Sequence, residues 1–168
     1  RPNTSFEERV SLIKSLKNLG YIVATGFLVG LPDETDEDII NNILLTRYIQ
    51  PDMYSFGPLI PTFNTPLQNI KPIDETTMLK IISIARFVDR QSKILITSAF
   101  ETLSKEAKRN GLLAGGNSLM INVTPQNYVK LYEIYPNRPN IDKTIEENIK
   151  NTIELLYSLG RAPTDLGM

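Results

Sequence analysis

The chain has 168 residues, of which 41% are hydrophobic and 22% charged, and its formal net charge is −1. This composition is typical of one soluble globular domain, and the near balance of 18 basic and 19 acidic residues favours neither nucleic acid nor an anionic membrane as a partner. Because the chain contains no Cys and no His, it has no disulfide, no thiolate nucleophile and no cysteine-ligated metal cluster of its own.

The first predicted elements are a helix and a strand. Residues 5–20 carry apolar side chains at helical spacing, begin with a Ser and Glu capping box and end at a glycine. Residues 21–31 are rich in β-branched and aromatic side chains, which is typical of a strand covered on both faces by helices. Gly26 and Gly30 either let helices pack closely on this strand or let a ligand approach its backbone.

The same alternation of helix and strand continues along the chain. Further helices are predicted at 35–50, 74–90 and 104–116, and further strands at 53–61, 93–101 and 117–124. In the helix at 74–90, Met78, Ile81, Ile82, Ala85 and Val88 are expected to face inward. This order predicts a parallel sheet with crossover helices, as in a Rossmann-like sheet or a TIM barrel. A Tyr-rich segment then leads to a last helix at 144–160, with an apolar face formed by Ile145, Ile149, Ile153 and Leu156.

Common catalytic and transport motifs are absent. The sequence contains no GxxxxGK[ST] or GxGxxG phosphate loop, which argues against nucleoside triphosphate chemistry. It has no GxSxG nucleophile motif and no His or Cys, so the familiar hydrolase triads are excluded. No apolar run reaches the roughly 18 residues that span a bilayer, and the start does not resemble a signal peptide. We therefore expect a cytoplasmic protein with no membrane partner.

Polar side chains follow two of the predicted strands. In a parallel sheet the carboxyl ends of the strands meet at one edge, which is where α/β barrels bind their ligands. Ser98, Glu101 and Asn122 would lie at this edge. Each could direct polar atoms into a pocket or cap the next helix; capping is the preferred interpretation for Glu101, and neither is preferred for Asn122.

Four stretches carry a resemblance to a known family: SFEERVSLIKSLKNLGY from residue 5, TGFLVGLPDET from residue 25, GPLIPTFNTPL from residue 57 and AGGNSLMINVTPQNYVKLYEIYP from residue 114. Together they resemble radical S-adenosylmethionine (SAM) enzymes of the [FeFe]-hydrogenase maturase HydE and biotin synthase-like group. Biotin synthase is similar in the first, second and fourth stretches, and methylornithine synthase is another relative of this type.

The resemblance implies an α/β fold, the carboxyl-terminal half of a TIM-type (β/α) barrel with about four parallel strands, outer helices and a C-terminal helical extension. Residues 1–124 would form the half barrel, and residues 125–168 would pack on it. SAM would lie across the carboxyl ends of the strands, over a [4Fe–4S] cluster that cleaves it to a 5′-deoxyadenosyl radical.

The resemblance also implies roles for individual residues. Arg9, in the motif matching SFEER, would bind the methionyl carboxylate of SAM, which suits a guanidinium fork. The strand with Gly26, Leu28 and Gly30 matches the segment that contacts the adenine, and Ile60 matches the apolar residue on its other side. Ser98 and Asn122 fall on strands that line the substrate cavity in these enzymes and are the candidates for substrate contact.

The chain departs from the family pattern in its cluster motif. The family's C-x-x-x-C-x-x-C belongs to the first barrel strand, and this chain has no cysteine. We therefore expect the cluster ligands in an amino-terminal half of the same barrel, with this chain inactive alone. A four-stranded half barrel also leaves open sheet edges, so we expect it to associate or be partly disordered when isolated.

The predicted function is a part in [FeFe]-hydrogenase cofactor maturation, with a small-molecule substrate and other maturation proteins as partners. A biotin synthase-like or methylornithine synthase-like enzyme is the alternative within the same chemistry. An independent, non-catalytic α/β binding or scaffold domain is the alternative of a different class.

Overall fold

A computed structural model describes residues 3–129, 131 and 134–163. Its α-helices are α1 (Phe6–Asn18), α2 (Asp36–Ile49), α3 (Glu75–Val88), α4 (Ala107–Leu113), α5 (Gln126–Val129) and α6 (Ile145–Ser158). Its strands are β1 (Ala24–Thr25), β2 (Leu28–Val29), β3 (Met53–Tyr54), β4 (Gly57–Pro58), β5 (Lys93–Ile96) and β6 (Ser118–Leu119), and a 3-10 helix spans Phe100–Thr102. Residues 130, 132 and 133 of the predicted Tyr-rich segment lie outside the described residues.

All strand pairs are parallel, as the alternation of elements predicts. The order across the sheet is β1, β3, β5, β6. The first two predicted strands are each interrupted by two residues, so β2 continues the line of β1, β4 continues that of β3, and β2 pairs with β4. Chain order and spatial order therefore coincide, which is the arrangement of consecutive strands in a β/α barrel. Four parallel strands with helices between them confirm the predicted half-barrel architecture.

The helices begin where the sequence predicts them because their first turns are capped locally. Ser5 and Glu8 form a capping box at α1, Thr35 and Asp38 form one at α2, and Thr144 and Glu147 form one at α6. The Asp74 carboxylate accepts a hydrogen bond from the Thr77 amide at the start of α3. Each cap satisfies an amide that the helix itself leaves without an acceptor.

The main core lies between the sheet and helices α2, α3 and α4. It contains Tyr54 from β3, Ile94 and Ile96 from β5, and Met78, Ile81, Ile82 and Ala85 from the predicted inner face of α3, all at most 4% exposed. Helix α1 lies at the margin of this core and contains no buried residue. Among the described residues, none of the helices is long and apolar enough to cross a membrane.

The first strand is covered on one face only, so the prediction of cover on both faces is wrong. Val23 and Val29 are 7% and 0% exposed, whereas Ile22 and Leu28 are 81% and 44% exposed. The helices pack on one side of the sheet, and the other side is the face that a closed barrel would turn inward. The strand is apolar because one face packs on helices and the other would face the barrel interior. Its composition alone does not distinguish this arrangement from cover by helices on both faces.

Helix α6 also differs from expectation. Its buried residues are Asn148 and Thr152, while Ile149 of the predicted apolar face is 39% exposed. Leu156 of the same face packs against the core, as predicted. The polar side chains are inside because this part of the helix lines a polar cavity rather than the apolar core.

Candidate functional site

A cavity of about 770 Å³ lies at the carboxyl ends of β5 and β6. Its walls are the 3-10 helix, the start of α4, the segment 137–143 and the inner face of α6. Ser98 and Asn122, which follow two different strands, both line it. The structure thus brings together the two residues that the family resemblance assigns to substrate contact, and we call this space the polar cavity.

The Ser98 hydroxyl is held by a residue that the sequence analysis did not single out. The oxygens of Ser98 and Tyr135 are 2.6 Å apart, a short hydrogen bond between residues 37 positions apart. It ties the segment after α5 to the end of β5. Tyr135 stood inside one of the stretches that carry the resemblance, but its spacing gave no sign of this partner.

Asn122 shapes the backbone beside the polar cavity. Its side-chain oxygen accepts a hydrogen bond from the Thr124 amide at 3.0 Å, which is a local turn rather than a helix cap. Its carbonyl accepts a long hydrogen bond, 3.5 Å, from the buried Asn148 side chain of α6. Asn122 therefore connects the end of β6 to α6 at the floor of the cavity.

Glu101 is not a helix cap, so the preferred interpretation of this residue is wrong. It lies within the 3-10 helix, and its carboxylate forms an ion pair with Lys108 of α4 at 2.9 Å, with only 8% of the Glu101 side chain exposed. Burial raises the pKa of the Glu101 carboxyl, and the positive charges of Lys108 and Lys143 oppose that effect. A carboxylate at this depth needs a cation beside it, and α4 supplies one.

The predicted cofactor wall lies on the first two strands of the sheet. It is formed by Gly26, Leu28, Gly30 and Ile60. The carbonyls of Val23, Thr25 and Val29 accept hydrogen bonds from the second strand. Because alternate residues of a strand direct their backbone groups to opposite sides, Gly26 and Leu28 direct theirs towards the edge that the described sheet leaves open. That edge is where a ligand or another strand could meet them.

Both glycines of this wall have a structural reason of their own. A Cβ atom at Gly26 would lie 2.0 Å from the carbonyl oxygen of Ser55, so the glycine permits close approach of the neighbouring strand, not of a helix. Gly30 has a φ of +89°, and its amide donates a 2.7 Å hydrogen bond to the Glu34 carboxylate. Their use in cofactor binding remains a prediction.

Arg9 and Ile60 both lie towards the carboxyl ends of the strands. Arg9 is exposed near the start of α1, and because α1 connects to β1 by a short loop, its start lies towards the carboxyl ends of the strands. Ile60 is half-buried two residues after β4. The cofactor wall lies on the first two strands and the polar cavity at the ends of β5 and β6, so the two are neighbouring parts of the carboxyl-end face of the sheet.

The described residues contain no group of three carboxylate, Cys or His side chains that could hold a metal ion. The whole sequence contains no Cys and no His, so it offers neither thiolate nor imidazole ligands.

Comparison with known proteins gives a family match for residues 55–161, to the Biotin and Thiamin Synthesis associated domain. The chain is 36% identical over 163 residues to the [FeFe] hydrogenase maturase subunit HydE of Thermotoga maritima, covering 97% of this chain and 47% of that protein. It is 28% identical over 121 residues to biotin synthase of Brucella ovis, covering 71% and 37% of the two chains.

The fold matches a solved structure over nearly its whole length. The crystal structure of methylornithine synthase (PylB) aligns with a TM-score of 0.73 and 25% identity, covering 98% of this chain and 47% of that one. The chain thus spans about half the length, or less, of the proteins it matches.

Proposed function

Because the chain belongs to the Biotin and Thiamin Synthesis associated domain family, within the HydE and biotin synthase-like group of radical SAM enzymes, we propose that it binds SAM and substrate in an enzyme of [FeFe]-hydrogenase cofactor maturation. The observation that carries the proposal is the 36% identity to HydE across nearly the whole chain. In this proposal the part of the relatives' length that the chain does not span supplies the [4Fe–4S] ligands.

The chain's residues fit SAM at the cofactor wall. The Arg9 side chain is exposed near the start of α1, and Leu28, whose backbone groups are directed towards the open sheet edge, is 44% exposed. Arg9 would hold the methionyl carboxylate, the backbone around Leu28 would hydrogen-bond the adenine, and Ile60 would pack on its face. When bound, SAM supplies the adenosyl group; the protein binds and orients it.

The residues do not fit the iron–sulfur cluster, because thiolate ligands are absent from this sequence. The open edge of β1 would instead pair with a strand of the other half of a closed barrel. The exposed inner face of the first strand would then face the barrel interior. In the proposal that half carries the cluster and completes the cavity.

The test uses the protein in its full natural length, reconstituted anaerobically with iron and sulfide and assayed for 5′-deoxyadenosine. We expect Arg9→Gln to weaken SAM binding about tenfold or more, the loss of a charge-assisted hydrogen bond. Lys14→Gln, five residues further along the same helix, is the control and should bind SAM as the unaltered protein does. An intact cluster that forms no 5′-deoxyadenosine would defeat the catalytic proposal and favour a binding or scaffold domain.

The similarity to methylornithine synthase and biotin synthase supports a second candidate, a synthase of one of these types. Analysis of the products formed from the substrates of the two synthases distinguishes this candidate from hydrogenase cofactor maturation. Methylornithine or biotin formation, without complementation of a hydrogenase maturation defect, would favour this candidate.

A further inference from the structure

Polar side chains of α6 are buried against the polar cavity. On α6, Asn148 and Thr152 are 7% and 9% exposed, although the same helix leaves Ile149 39% exposed. The Thr152 hydroxyl donates a 2.7 Å hydrogen bond to the Asn148 carbonyl within the helix. Burying an amide is unfavourable unless it is hydrogen-bonded, and the hydrogen bond from the Asn148 amide nitrogen to the Asn122 carbonyl is long at 3.5 Å. The Asn148 amide is therefore the group of α6 that a polar ligand in the cavity could contact.

The charge of the lining is the second observation. Among the described residues, five basic and two acidic ones line the polar cavity, whereas the whole chain carries a net charge of −1. The basic residues are Lys105, Lys108, Arg109, Arg138 and Lys143, and the acidic ones are Glu101 and Glu106. Lys108 pairs with Glu101. Lys105, Arg109 and Lys143 then outnumber Glu106 in the described lining, and this excess of positive charge attracts anions.

The basic residues come from both sides of the cavity. Lys105 and Arg109 lie just before and within α4, and Lys143 lies on the opposite wall, immediately before α6. The Glu101 carboxylate lies close enough to Lys143 to be influenced by its charge. The volume of about 770 Å³ is within the usual range for small-molecule sites.

We propose that the polar cavity binds a small organic anion through a carboxylate or phosphate group held by Lys105, Arg109 and Lys143, with Asn122 and Asn148 contacting its uncharged polar part. The inference rests on the substrate-binding part of the proposed function, since Ser98 and Asn122 belong to this cavity. It does not depend on SAM cleavage, because Lys105, Arg109 and Lys143 are not part of the cofactor wall.

The test is isothermal titration calorimetry of the full natural-length protein with inorganic phosphate and, separately, with succinate, at constant low ionic strength. We expect one saturable site for at least one of these anions, and the stronger binder identifies the group. Arg109→Gln and Lys143→Gln should each weaken binding about tenfold, the loss of one charge-assisted hydrogen bond. Added salt should weaken it as well.

Lys150→Gln, an exposed lysine on the outside of α6, is the matched control and should change the affinity less than twofold. Absence of saturable binding for both anions, or an equal loss in Lys150→Gln, would overturn the proposal. So would weakening by Arg9→Gln alone, which would place the anion at the cofactor wall. If anion binding is intact but no 5′-deoxyadenosine forms, the catalytic proposal fails and this one stands.

Discussion

Glu101 and Lys108 form an ion pair at 2.9 Å, with 8% and 19% of their side chains exposed. The pair joins the 3-10 helix after β5 to α4 at the wall of the polar cavity. A second ion pair, Lys150 with Glu154 on α6, is longer at 3.8 Å, with 74% and 60% of the side chains exposed. The two pairs have the same chemistry and opposite exposure, so each is a control for the other.

We expect Lys108→Met to lower the free energy of unfolding by about 3 kcal/mol at pH 7, because it leaves the buried Glu101 carboxylate without its cation. Lys150→Met should change that free energy by less than about 0.5 kcal/mol, since water already screens the exposed pair. Urea unfolding followed by circular dichroism measures both. Equal effects of the two substitutions would show that burial does not determine the contribution of the Glu101 pair.

The raised pKa of Glu101 predicts how stability varies with pH. A carboxyl whose pKa is higher in the folded state binds its proton more tightly there, so its contribution is fully present below the unfolded pKa of about 4.3. That contribution is lost as the pH rises through the raised folded pKa. The free energy of unfolding of the unaltered protein, relative to Glu101→Gln, should therefore fall across this interval. A difference that rises with pH would contradict the direction of the shift.

The helices and the strand order were predictable from the sequence because their signals are local. Ser5, Thr35 and Thr144 each stand three residues before an acidic residue and begin a helix in the structure. The alternation of elements then leaves little choice but a parallel sheet. The residues of α3 predicted to face inward are buried for the same reason, with Val88 only partly so.

The details of the site were not predictable because they depend on residues distant in sequence. Ser98 meets Tyr135 across 37 positions, and Asn148 of α6 is directed inward by a cavity that other elements form. The interruption of the first two strands at 26–27 and 55–56 depends on how closely they approach each other. No spacing within one element encodes these relations.

Gly26→Ala tests the structural role of that glycine. The new Cβ would lie 2.0 Å from the Ser55 carbonyl oxygen, an atom of the neighbouring strand's backbone, and the strands would have to separate. We expect a loss of about 3 kcal/mol in the free energy of unfolding, at the upper end of overpacking costs. Thermal or urea unfolding measures it.

Gly20→Ala is the matched control, because no atom lies within 4 Å of its added Cβ and only its φ of +84° is unfavourable. We expect it to cost about 1 kcal/mol. Should Gly26→Ala unfold like the unaltered protein and yet bind SAM more weakly, Gly26 would be a ligand contact rather than a structural requirement.

The hydrogen bond between Ser98 and Tyr135 should couple the end of β5 to the segment that leads towards α6. Ser98→Ala and Tyr135→Phe each remove one partner, and each should lower the free energy of unfolding by about 1 kcal/mol. Because either change breaks the same bond, the double variant should be less destabilised than the sum of the two single variants, with a coupling energy of about 1 kcal/mol in a double-mutant cycle.

Thr62→Ala with Tyr135→Phe is the control cycle, since the Thr62 hydroxyl contacts the Ile134 carbonyl and not the Tyr135 hydroxyl. This cycle should show a coupling energy below about 0.5 kcal/mol. Additive effects of Ser98→Ala and Tyr135→Phe would mean that the Ser98 hydroxyl is free to contact substrate without first releasing Tyr135.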